Sequence, residues 1–281
     1  MHEFETPGSV SLQIKLPSGR VVVTTVDEPR TTVELISIGR RGPDALEGIE
    51  VRAEERPGGH RIVIDEKDRI RWGPIRISWS GDVEARVTCP PGTDLEFSGA
   101  STDIRVEGEL GTVAARTASG DIKLDEVRGK LQAKTASGDV YVSSFGEDGT
   151  IATVSGDLGV GALTAQLTAR TVSGDVHIGS VRSLLVLSTT SGDVKVDSVE
   201  RGEVRLQSVS GDARIGVARG TRVFIDAASV SGDLDSQLGL ADDPAPVQPD
   251  DADAPRDVVP LHVKTVSGDV SIVRAAEAFS S

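Results

Sequence analysis

A carboxylate repeated at a constant interval is the pattern from which a ladder of cation sites could be built, and this chain carries one. The tripeptide Ser-Gly-Asp sets Asp121, Asp139, Asp157, Asp175 and Asp193 eighteen residues apart. A degenerate copy precedes them at Asp103, and later copies follow at Asp212, Asp233 and Asp269, at intervals of nineteen, twenty-one and thirty-six. Stacked at the roughly 4.8 Å spacing of neighbouring strands, such carboxylates repel by about 1 kcal/mol per pair even in water, and calcium would relieve that. Ligand count argues against it. Calcium takes six or more oxygens, whereas each corner here supplies one Asp and one Gly, and calcium-binding β-rolls carry Gly-Gly-x-Gly-x-Asp in both half-turns. Arg105, Lys123, Lys195 and Arg214 stand two residues after their aspartates and offer a cheaper neutralisation. The column is read as structural turn caps, with no metal and no cofactor assigned.

Other chemistry finds no better footing. His2, His60, His177 and His262 show no metal-ligand spacing, and His177 takes the outward strand position held by Lys123 and Lys195 in other repeats, which reads as a solvated surface residue. No G-x-S-x-G nucleophile elbow occurs, and the glycines recur at turn spacing rather than ahead of helices, as a phosphate loop would need. A polysaccharide-cleaving β-helix would interrupt its repeat with clustered carboxylates; the coils from Asp121 to Asp212 show no such interruption. The chain reads as a non-enzyme.

The elements that must carry this column follow from the unit Ser119–Ala136. One and three residues after each aspartate stand aliphatics such as Ile122 and Leu124, and six and four before the next serine stand residues such as Leu131 and Ala133. A spacing of two is the strand period with one side inward. Stepping by six from Ile122 meets Arg128 and Lys134, which excludes a three-sided hexapeptide helix, while stepping by nine meets Leu131. Each coil is therefore two half-coils, and the predicted fold is all-β: a two-sided parallel β-solenoid of about 18 residues per coil. A third apolar column, including Val127, Phe145, Leu163, Val181, Val199 and Ala218, is placed at the far corner. A hydroxyl column from Thr117 and Thr135 to Thr265 is placed inside, passing hydrogen bonds from coil to coil. Gly is assigned to positive φ in the tight corner.

Residues 1–97 also alternate like strands but without the period, and are read as an irregular N-terminal β region capping the solenoid; the solenoid proper spans 98–275. The proline-rich acidic stretch at 241–257 is read as a loop inserted into one coil, and the segment after Val273 as a short helical cap. A net charge of -14 disfavours nucleic acid. Aromatics make up 3% of the chain, which leaves few stacking platforms, and Trp72 and Trp79 lie outside the repeats. No apolar run is long enough for a membrane span. The first residues lack a secretory pattern, which predicts a cytoplasmic location, with the cell surface open only through another export route.

The segments SVSLQIKLPSG, CPPGTDLEFSGASTDIRVEGELG, the TASGDI and TVSGDV units, and the closing VKTVSGDVSIVRA resemble the bacterial putative-adhesin family of β-strand-repeat domains of unknown function. The likeness covers residues 80–275 and, more thinly, the first eighty. It implies a β-repeat fold, no catalytic residues to carry over, and surface attachment. The resulting expectation is a rigid scaffold for adhesion or protein interaction, with an unidentified protein or surface partner. The alternatives are a polymerising, cytoskeleton-like β-helical protein joined end to end, and a carbohydrate-active enzyme built on a β-helix.

Overall fold

The computed structural model describes residues 1–38, 44–66, 83–238 and 258–275. The acidic stretch at 241–257, both tryptophans and the expected helical cap beyond residue 275 lie outside the described residues. The chain forms two compact units, Met1–Gly156 and Asp157–Ser281. The first contains β1 (His2–Glu5), β2 (Ser9–Thr25), β3 (Arg30–Ser37), the helical turn α1 (Asp44–Glu47), β4 (Ile49–Arg56), β5 (Gly59–Glu66), β6 (Val83–Cys89), β7 (Thr93–Glu107), β8 (Glu109–Arg116), β9 (Ile122–Val127), β10 (Leu131–Lys134), β11 (Val140–Phe145) and β12 (Gly149–Ala152). The second contains β13 (Leu158–Leu163), β14 (Leu167–Arg170), β15 (Val176–Val181), β16 (Leu184–Ser188), β17 (Val194–Val199), β18 (Glu203–Gln207), β19 (Ala213–Val217), β20 (Val223–Ser231), β21 (Leu234–Ser236), β22 (Val259–Ser267) and β23 (Val270–Arg274). Among the described residues no helix is long and apolar enough to cross a membrane.

In the first unit the period becomes register. Leu131 lies beside Val113 on one side and Gly149 on the other, and Val140 lies beside Ile122, each in parallel and eighteen residues removed. Ile122 and Leu124 are buried from one wall, Leu131 and Ala133 from the other, and Lys123 between them is exposed. That is the two-sided solenoid. Where one wall offers only Gly149, the adjoining inward position carries Ile151, also buried, so volume is conserved within the layer.

The first ninety-seven residues enter this stack out of chain order. Strand β2 makes a whole coil by itself, burying Leu12, Ile14 and Leu16 on one wall and Val21 and Val23 on the other. One of its edges pairs in parallel with β7, and the other with β5 and β6, which together form the next layer. Beyond that layer the direction reverses: β4 runs antiparallel to β5, β3 to β6, and β1 to β3. These antiparallel strands lack the parallel register of the coils.

The second unit continues the design through β13, β15, β17 and β19 on one wall and β14, β16 and β18 on the other, all parallel. Two departures follow. At β19 a register shift sets Val217, not Ala218, beside Val199, so Val217 is the buried member of the far-corner column and Ala218 is only half-buried. Chain order also fails: β22 and β23 lie against β18 and β19, and the earlier pair β20 and β21 lies outside them. Within the thirty-six-residue interval from Asp233 to Asp269 the chain thus returns into the stack; the loop expected at 241–257 lies outside the described residues. The reason is apolar content. Val259, Leu261, Val263, Val270 and Ile272 face inward and are buried, whereas the outer pair offers Ile225, Ala227, Leu234 and Ser236 in the same columns. A layer covered on both sides buries more apolar area, at roughly 25 cal/mol per Å², so the richer coil takes the inner place.

Candidate functional site

The aspartate column is a hydrogen-bond ladder within each unit. In the first, Asp103 Oδ1 accepts the backbone N–H of Asp121 at 3.1 Å, and Asp121 Oδ1 accepts that of Asp139 at 3.0 Å. In the second, Asp157, Asp175, Asp193, Asp212 and Asp269 each accept the amide of the aspartate in the next layer, at 2.8 to 2.9 Å, and the series ends on Asp233. The aspartates cap backbone between coils, so one oxygen of each accepting carboxylate is already committed. The ladder also records the stacking order, because Asp269 stands between Asp212 and Asp233.

The corner itself differs between the units. Thr135 Oγ1 accepts the N–H of Gly138 in its own corner at 3.1 Å and donates to the carbonyl of Gly120 in the preceding coil at 3.4 Å. Thr189, Ser208 and Thr265 instead donate to Ser191, Ser210 and Ser267 within their own corners, each at 3.3 Å. The hydroxyl column is internal in both units; in the outer layer of the second, Ser229 passes a bond between coils as Thr135 does, donating to the carbonyl of Gly268 at 3.4 Å. Gly192 has φ 121°, as expected of the corner, while Gly138 does not have positive φ. What both share is close approach: a Cβ would overlap the carbonyl oxygen of the preceding corner glycine, Gly120 or Gly174.

On the outward side of the second unit, β13, β15, β17 and β19 frame a concavity of about 870 Å³. Its floor is short side chains and bare backbone at Gly161, Gly179, Ser180, Ser198 and Gly216, and its charged lining is Arg182, Lys195, Arg214, Arg219 and Arg274 against Asp197 and Glu200. The carboxylates are engaged. Glu200 takes two hydrogen bonds from the Arg182 guanidinium, at 2.8 and 3.1 Å, which raises the arginine's pKa. Asp197 lies 2.7 Å from His177 Nε2 and 2.9 Å from Lys195 Nζ. Partial burial pushes its carboxyl up, but the hydrogen bonds and charges of Lys195 and His177 outweigh that and hold it below the ordinary carboxylate range.

The outer layer of the second unit is open. Ile225 and Leu234, in columns that are buried in the neighbouring coil, are 36% and 50% exposed, and Phe224 is 59% exposed. Asp226 on the same strand bonds His262 Nδ1 at 3.1 Å, and Phe224 meets the His262 ring edge-on.

The sequence matches the Toastrack DUF4097 family model over residues 8–184 and again over 146–273. The chain belongs to the Toastrack DUF4097 family. Similar solved structures are a putative cell adhesion protein from Clostridium sporogenes, at 9% identity and TM-score 0.23 over 95% of this chain and 93% of that one, and a putative adhesin from Bacteroides fragilis, at 12% identity and TM-score 0.35 over 96% and 95%. No curated protein matches the sequence.

In this Toastrack chain the basic residues beside the turns behave differently from expectation. Lys123 does reach its own Asp121, at 3.6 Å. Arg105 instead pairs with Glu107, and Lys195 with Asp197, each an acidic residue two places further along the same face of its strand; Lys123 has Asp125 in that place, but an oxygen of Asp125 accepts the Gly108 amide. His177, read as a plain surface residue, belongs to the Asp197 cluster. The concavity was missed altogether, although a signal existed. Four residues after the aspartate the outward position is Glu107, Asp125 and Ser143 in the first unit, but glycine at Gly161, Gly179 and Gly216, with Asp197 among them, in the second. Small residues aligned across strands leave a trough, which reading one strand at a time does not reveal.

Proposed function

We propose that the protein is a non-catalytic interaction scaffold that receives a protein partner by strand addition along β20 and β21. The carrying observation is the exposure of Ile225 and Leu234 in columns that every inner layer buries. An outer strand also presents unpaired N–H and C=O groups, which template pairing with another chain. The occupant is a strand-forming segment with aliphatic residues two apart, able to continue both columns. Adhesion is the case in which that segment belongs to a surface-borne partner.

The carbohydrate-active reading loses ground on the concavity's own acids. A glycosidase needs a carboxyl group that is protonated near neutrality, and Asp197 is held in the opposite direction while Glu200 is clamped by Arg182. Polymerisation would require a second receptive edge. The outer strands of the first unit carry Glu3 and Glu5 on β1 and Glu50, Arg52, Glu54, Glu55 and Arg56 on β4, and charged edges resist pairing.

The test is affinity capture with the full chain and with Leu234→Lys, followed by hydrogen exchange of the captured complex. Partner binding lost in the variant, with amide protection gained over residues 223–236, is the expected result. Capture indifferent to Leu234→Lys overturns the proposal. A concentration-dependent dimer in light scattering that Leu234→Lys dissolves would replace the foreign partner with a second copy.

A further inference from the structure

The Ser-Gly-Asp corner of the second unit carries an apolar row that the open edge does not explain. The residue before each corner serine is exposed, and Val172, Thr190, Val209, Val266 and Val230 stand in successive layers. Their order follows from the backbone: Ser191, Ser210 and Ser267 donate their amides to the carbonyls of Val172, Thr190 and Val209, and Ser231 lies beside Ser267. The four valines are between 45% and 82% exposed. The turn does not require them, because Ala118 and Ala136 fill the same place in the first unit. Scattered exposed aliphatics are ordinary, but a contiguous run of them marks a contact surface. Three residues after each stands an exposed aspartate, and these form a second row, Asp175, Asp193, Asp212, Asp269 and Asp233. None of the five has an ion-pair partner among the described residues, and Lys195, two places after Asp193, pairs with Asp197. In the first unit, by contrast, Lys123 answers Asp121 at 3.6 Å.

We propose that this corner is a docking ridge for a basic amphipathic α-helix of a partner protein, laid along the stacking direction. Spacing selects the helix. The layers rise by about 4.8 Å, and side chains three or four apart on one helix face advance by about 4.5 to 6 Å, so a single apolar stripe meets the valines in turn. An extended segment advances about 6.8 Å between residues on one face and falls out of step within two layers. Five layers span about 19 Å, which three to four helical turns cover. Charge selects the residues beside the stripe: Lys or Arg along one flank faces the aspartate row at a spacing of the same order. A second copy of this chain would set an identical carboxylate row against this one, which repels.

The probe is a fluorescein-labelled peptide of leucine and lysine, about fourteen residues long, with leucine at every third or fourth position. The full chain is titrated into it at low and moderate salt and followed by anisotropy and circular dichroism, beside a scrambled peptide of the same composition and one with glutamate for lysine. Saturable one-to-one binding with a gain of helix, weaker in salt, is expected, at least tenfold tighter than for the scrambled peptide and absent with glutamate. Val209→Ser combined with Val266→Ser should lower affinity at least tenfold. Asp193→Asn combined with Asp212→Asn should do the same at low salt, because the asparagine oxygen keeps the ladder bond while the charge is lost. Thermal unfolding should be little changed in both, and Ala118→Lys in the first unit should leave affinity as it was. No saturable binding, equal binding of the scrambled or glutamate peptide, binding without helix, or binding that survives either double variant overturns the proposal. Leu234→Lys keeps the two readings separate, since it should abolish strand addition at the open edge and leave the helix bound; a peptide released by Leu234→Lys would belong to that edge and not to the ridge.

Discussion

The outermost layers of the two units solve the same problem in opposite ways. In each, a coil near a chain terminus, β2 in the first unit and β22 with β23 in the second, is drawn inside the stack rather than left at its edge. The first unit then reverses strand direction and finishes on β1 and β4, whose charged residues pair among themselves, as Arg52 does with Glu50 and Glu54. The second unit finishes on a parallel layer whose inward-column aliphatics, Ile225 and Leu234, remain exposed. One edge is closed against pairing and the other retains the columns that pairing requires. A repeat fold exposes such an edge only at some risk of aggregation, which is why the open layer, and not the regular coils, is the place to look for a partner strand.

The comparison is broken most directly by placing a charge in an inner and an outer layer of the same unit. Leu261 is fully buried between β18 and β20, while Leu234 in the outer layer is half exposed. Leu261→Asp should destabilise the unit by about 4 kcal/mol or more, the cost of cavity and unpaired charge together, and unfold its neighbouring coils. Leu234→Asp should cost under about 1 kcal/mol. Urea unfolding followed by circular dichroism measures both, and equal losses would mean that the outer layer is as covered as the inner one.

The closed edge can be probed through Cys89, which is buried at the end of β6, the strand that β3 joins in antiparallel. Burial pushes its thiol from 9.0 up to about 11, with Thr93 opposing slightly. Between those values the unfolded chain loses the proton and the folded chain keeps it, so the stability associated with this group is intact below pH 9 and lost as pH rises through about 11. The rise from 9.0 to about 11 corresponds to about 3 kcal/mol. Cys89→Val should flatten the decline in stability between pH 9 and 11 relative to the parent. An unchanged slope would show that the layer around Cys89 admits water.

What the sequence disclosed and what it concealed divide along the same line. Within a coil, Ile122, Leu124, Leu131 and Ala133 state their own direction, because a strand period of two and a half-coil of nine admit one arrangement. Between coils the sequence is nearly silent. Repeats that share a period are locally interchangeable, so nothing in Ser-Gly-Asp says that Asp269 precedes Asp233 in the stack; that order depends on the summed apolar content of whole layers. The Asp197 cluster and the concavity were hidden for a related reason. They are assembled across strands, from residues such as Gly161, Gly179 and Gly216 that look featureless one strand at a time.

The smallest expected effect tests the ladder at the point where the two kinds of layer meet. Asp212 Oδ1 accepts the amide of Asp269, whereas Asp233, in the open layer, accepts no amide from a further coil among the described residues. A hydrogen bond to a charged acceptor contributes about 1.5 to 3 kcal/mol, and repulsion from the flanking carboxylates subtracts part of it. Asp212→Ala should therefore cost about 1 kcal/mol, Asp212→Asn less because the amide oxygen still accepts, and Asp233→Ala almost nothing. If Asp233→Ala proved as costly as Asp212→Ala, the ladder would have to continue past Asp233, and the edge assigned to a partner strand would already be occupied. A silent Asp233→Ala that turns costly once a partner is bound would show the incoming strand extending the ladder by one step.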